Sequence, residues 1–153
     1  MISDDNADLA GTLAQEGRIV FTCNGVSMRP LIRARRDAII IEKKNGQRFK
    51  RLDTVLFLRE DGKYVLHRIL KVCDEGYWIV GDNCFYGDDV TDDQVFGVMT
   101  MLKRGKRMIR VTDWHYRLYS HLWCDVYPVR FALLRLRAFA HRVLHYIKRK
   151  VFA

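Results

Sequence analysis

Apolar and polar positions change rhythm along the chain. Residues 7–16 carry a weak helical period closed by Gly17, which predicts a short helix. From residue 18 onward, short runs rich in Val, Ile, Phe and Tyr recur at 18–23, 38–42, 54–58, 64–72, 77–80, 95–102 and 106–111. Asn45-Gly46, Asp61-Gly62, Glu75-Gly76 and Arg104-Gly105 lie between runs and suit hairpin turns. Short strands at this spacing predict a mainly β fold: a small antiparallel sheet, curled or barrel-like. After Asp113 the period is helical again. Residues 114–127 and 129–152 read as a C-terminal helical hairpin, with Pro128 suited to open the second helix. The pattern divides the chain into an N-terminal segment (1–17), a β domain (18–113) and a basic amphipathic helical tail (114–153).

Composition sharpens this picture in two places. Apolar residues make up 49% of the 153 positions, enough for a packed core. The net charge of +9 is concentrated in the tail, where eight Lys/Arg face one acid, Asp125. Any anionic partner belongs there. Cys23, Cys73, Cys84 and Cys124 form no C-x-x-C pair and no zinc spacing, so they read as reduced thiols. The acidic N-terminus lacks the basic start and apolar stretch of a signal peptide, and no apolar window is long enough to span a membrane.

Candidate chemistry begins at Asn24–Pro30, NGVSMRP, which places Ser27 in an open turn after a strand. A serine hydroxyl needs a base within hydrogen-bond reach to act as a nucleophile. Of five histidines only His67, in YVLHRIL, lies in the β domain. Its imidazole has the right ordinary pKa to accept the serine proton. A third group must hold its tautomer. The loop GDNCFYGDD (81–89) offers Asp82, Asp88 and Asp89.

In this order the boxes resemble the signal peptidase I family, whose wider clan includes LexA-type repressors. GVSMRPLI resembles its nucleophile box, RRDAIIIEKK and KRLDTVLFLR two of its strands, YVLHRI the box of the base, and GDN…DD with VFGVM the final boxes. The likeness runs from Cys23 to Met99. The pair His67-Arg68 resembles the branch that uses histidine rather than lysine. The resemblance implies a serine endopeptidase acting on exported or membrane-proximal precursor peptides, with Ser27 as nucleophile and His67 as general base. An Asp of the 82–89 loop would support His67: Asp82 fits the family's GD position, and the second Asp falls on Asp88 or Asp89. No cofactor is implied. Residue 25 departs from the pattern: it is Gly, where many signal peptidases carry a Ser that helps bind the oxyanion.

The expected partner is a peptide or preprotein. The tail, with Trp114, Tyr116, Tyr119, Trp123 and Tyr127 among basic residues, suits peripheral contact with an anionic membrane surface, the cytoplasmic leaflet by charge. It shows no nucleic-acid motif. His141 and His145 stand one helical turn apart, with no third ligand to make a metal site. Two other readings stay open: an inactive binding module of the same fold, and a LexA-like self-cleaving regulator cut at Ala10-Gly11.

Overall fold

The computed structural model describes residues 8–126 and, beyond them, residues 132, 135, 136, 139, 140 and 142. Helix α1 (Leu9–Glu16) is capped by Asp8, whose carboxylate accepts from Gly11 N at 2.8 Å. Gly17, at φ 72°, ends it in a left-handed turn. Eight strands follow: β1 (Arg18–Thr22), β2 (Asp37–Lys43), β3 (Thr54–Leu58), β4 (Tyr64–Cys73), β5 (Gly76–Val80), β6 (Gly87–Thr91), β7 (Val95–Arg104) and β8 (Arg107–Arg110). Helix α2 (Trp114–Asp125) comes last. The six described residues beyond 126 are helical. The rest of the tail, with Tyr127, Pro128, His141 and His145, lies outside the described residues.

The strands form one antiparallel sheet in the order β1-β2-β7-β3-β4-β5-β6, with β8 also on β7. The sheet is mainly β as expected, but it stays open rather than closing into a barrel. Register shifts at Ile40/Ile41, Leu56/Phe57 and Ile69/Lys71 bend it. β6 begins inside the stretch read as a loop (81–89) and runs on to Thr91. Its GDDVT sequence has little strand propensity, and it pairs with β5 at the end of the sheet.

Both faces of the central strands are covered. Leu56, Leu66, Met99 and Tyr116 join one core cluster, together with Leu13 of α1 and Met28 and Ile32 of the β1–β2 connection. Val55, Phe57, Val65, Ile69 and Ile79 join the other. β3 is therefore buried from Thr54 to Phe57, which explains its unbroken apolar run. Each large apolar side chain buried this way contributes roughly 1.5–3 kcal/mol.

Candidate active site

Ser27 sits in the connection between β1 and β2. The flanking Met28 and Ile32 sink into the core and leave the serine half-buried between them and the surface. Turn hydrogen bonds fix the segment: Arg29 N donates to Val26 O at 3.1 Å and Ile32 N to Met28 O at 2.9 Å. Arg35 N closes it by donating to Cys23 O at 2.8 Å.

His67 lies in the middle of β4, opposite Val55 of β3. Alternation puts it on the same face as Val65 and Ile69. Its ring packs beside Phe57 at 6.0 Å, and only 5% of the residue is exposed. Burial lowers its pKa to about 4, with Arg59 adding to the fall and Asp82 opposing it. The imidazole is therefore neutral at pH 7, the form a general base requires. Nδ1 has no hydrogen-bond partner; Asp88 Oδ2 stands 3.6 Å away. At that separation the carboxylate does not offset the burial.

The turn Gly81–Cys84 joins serine to histidine. Cys84 N donates to Gly81 O at 2.9 Å, and Asn83 N donates to Ser27 O at 2.6 Å. Asn83 Nδ2 donates to Val26 O at 3.3 Å. A Cβ on Gly81 would fall 2.8 Å from His67 Nε2, 2.9 Å from Ser27 O and 2.7 Å from Cys84 Sγ. The bare glycine thus leaves the space into which the His67 imidazole, the Ser27 carbonyl and the Cys84 thiol converge.

The three acids have different surroundings. Asp88 faces Nδ1 from β6, and burial raises its pKa. Its neighbour Asp89 is exposed, and strand alternation turns it to the opposite face. Asp82 is fully buried and engaged elsewhere. Its carboxylate receives Arg68 Nε at 2.9 Å and Nη2 at 3.0 Å, and Tyr119 OH at 2.9 Å. Arg68 is also fully buried, and its Nη1 donates to Leu52 O, Ser120 Oγ and Tyr116 OH.

Gly81, Arg68 and the inner residues of α2 were not singled out from sequence. Arg68 carried a signal: a cation inside an apolar strand run requires a buried acid, and Asp82 follows one strand later. Three aromatics expected at a membrane surface instead face this ion pair. Tyr116 and Tyr119 bond to it through their hydroxyls, and Trp123 Nε1 donates to Asp82 O at 2.8 Å. Trp114 remains exposed. No cluster that could hold a metal, and no helix long and apolar enough to cross a membrane, occurs among the described residues. The chain matches no protein-family model, no curated protein and no solved structure.

Proposed function

We propose that this chain is a serine endopeptidase resembling signal peptidase I, acting on exported or membrane-proximal precursor peptides. The observation that carries the reading is the convergence of His67 Nε2 and the Ser27 backbone on Gly81. Ser27 Oγ attacks the scissile carbonyl while the neutral His67 accepts its proton. The Ser27 backbone N–H is available to the oxyanion. The tetrahedral intermediate collapses as the imidazolium protonates the leaving amine. Water, deprotonated by His67, then releases the acyl group. Asp88, closing on Nδ1 from 3.6 Å, stabilises the imidazolium that forms in each half.

Two surfaces support the substrate class. Phe85 and Tyr86 directly follow the Gly81–Cys84 turn. They border an open cleft of about 650 Å³ with Leu136, Phe139, Arg135 and Arg142. Its apolar walls suit an apolar peptide segment. On α2, Trp114, Leu118 and Leu122 recur every fourth residue and are exposed. That stripe suits peripheral docking at a lipid surface.

The test is cleavage of a membrane-reconstituted preprotein panel by wild type, Ser27→Ala and His67→Ala. Cutting by wild type alone supports the assignment, and the cut site then defines specificity. Equal behaviour of three folded proteins sinks the peptidase reading for these substrates. It would favour the inactive binding module.

A further inference from the structure

Helix α2 turns one stripe of side chains onto the sheet. Tyr116, Tyr119, Ser120 and Trp123 are spaced by three and four, so they share a face. Each makes a hydrogen bond to Arg68 or Asp82. The Tyr119 and Trp123 rings stack at 5.7 Å and 16°, and the Arg68 guanidinium lies 5.8 Å from the Tyr119 ring.

Asp82 is the second residue of the turn that joins serine to histidine. Gly81, before it, abuts His67 Nε2. Asn83, after it, holds Ser27 O at 2.6 Å. Tyr119 takes the Asp82 carboxylate and Trp123 the Asp82 backbone carbonyl, so α2 grips this turn from behind through side chain and main chain together. Packing alone does not require the Tyr119 donor, because phenylalanine would supply the same ring there without the hydroxyl. The opposite side of α2, at Trp114, Leu118 and Leu122, is exposed. The Arg51–Asp125 ion pair near its end, at 2.6 Å, is exposed too and contributes little. The hold on the turn therefore comes from the inner stripe.

We propose that Tyr119 and Trp123 are positioning residues, and that α2 is a strap whose docking sets the Gly81–Cys84 turn, and with it the distance from Ser27 to His67. When α2 is seated the turn is locked; when it lifts, the Asn83–Ser27 hydrogen bond loosens and the base drifts from the nucleophile. The effect on catalysis rests on the peptidase reading, whereas the effect on the turn does not.

The experiment compares the full chain with Tyr119→Phe, which keeps the ring and removes the donor to the Asp82 carboxylate, and with the Tyr119→Phe/Trp123→Phe double variant, which removes both donors and trims the indole to a phenyl ring. Native-state amide exchange is read residue by residue, beside cleavage kinetics. The strap requires Asn83 and Cys84 amides to exchange at least about tenfold faster, the equivalent of one ordinary hydrogen bond. The Leu56 and Ile69 amides of β3 and β4 should keep wild-type rates. In a cleavage assay kcat should fall by about tenfold or more with KM nearly unchanged, as expected for a misplaced base. Unchanged exchange at Asn83, or equal acceleration at Leu56 and Ile69, overturns the proposal; the latter would mean a purely global role. If wild type cleaves nothing, the peptidase reading falls, while the exchange data still decide the strap.

Discussion

Replacing Gly81 with alanine adds one methyl group at the junction of the site. Gly81 is not among the glycines with positive φ, so alanine fits its backbone and the effect comes from Cβ alone. That Cβ would meet Cys84 Sγ, His67 Nε2 and Ser27 O at 2.7, 2.8 and 2.9 Å. Ordinary contact needs about 3.5 Å or more, so the neighbours must withdraw by roughly 0.6–0.8 Å. Cys84 can rotate away. Ser27 O cannot move without straining its hydrogen bond from Asn83 N, and His67 is packed against Phe57. Overpacking of this kind costs about 1–3 kcal/mol. At roughly 2–4 °C per kcal/mol for a chain of this size, Tm should fall by about 2–12 °C. A base displaced by most of an ångström should lose about 100-fold in kcat/KM. Thermal unfolding, cleavage kinetics and the His67 imidazole resonances of Gly81→Ala measure the three effects. A variant with wild-type Tm and unshifted His67 resonances would refute the convergence of these groups on Gly81, whatever the activity.

The two acids should separate by role. Asp82→Asn breaks a buried bidentate pair and should destabilise the fold by about 3–5 kcal/mol in denaturant unfolding. Asp88→Asn should leave stability within about 1 kcal/mol but lower kcat at least about tenfold; the reverse pattern would overturn the assignment. His67 should also make stability depend on pH. Its folded pKa, about 4, lies below the ordinary 6.5, so the unfolded chain binds the extra proton between these values. Stability contributed by the neutral ring is complete above pH 6.5 and is lost as pH falls toward 4, by up to about 3 kcal/mol. Urea unfolding at pH 7 and pH 4.5 should show this loss in wild type and much less of it in His67→Gln. Equal losses would mean that His67 is not held neutral by burial.

The sequence made the strands legible because seven of them carry apolar runs that end at turn residues. β6 was invisible for the opposite reason: its Gly87, Asp88 and Asp89 are turn formers, and their strand geometry comes from pairing with β5. That miss explains why Asp88 and Asp89 could not be told apart. In a loop, Asp88 and Asp89 are interchangeable; in a strand, adjacent residues point to opposite faces. Ser27 and His67 could be picked out by residue type. Gly81 could not, because its importance is the space it leaves. The aromatics of α2 were read as a surface because composition does not reveal the hydrogen-bond partners of Tyr119 and Trp123. Those partners come from Asp82, which is distant in sequence.

In the proposed reading, the dipeptide His67-Arg68 lets one strand serve two tasks that would otherwise conflict. A general base near a carboxylate must keep that carboxylate responsive, whereas a buried guanidinium needs a carboxylate fully committed to it. If both side chains emerged on one face they would compete for the same acids. Strand alternation separates them. His67 emerges on the Val65 and Ile69 face, toward Asp88, and Arg68 emerges on the other, toward Asp82 and α2. The acid that Arg68 saturates belongs to the turn that touches Ser27, so the buried ion pair and the proposed catalytic pair share a backbone but not a carboxylate. A one-residue slip of β4 against β3 would exchange the two faces, burying the cation beside Phe57 and turning the imidazole toward Tyr116. The same register that places Leu56 opposite Leu66 in the core therefore also sets that Asp88 lies beside His67 and Asp82 beside Arg68.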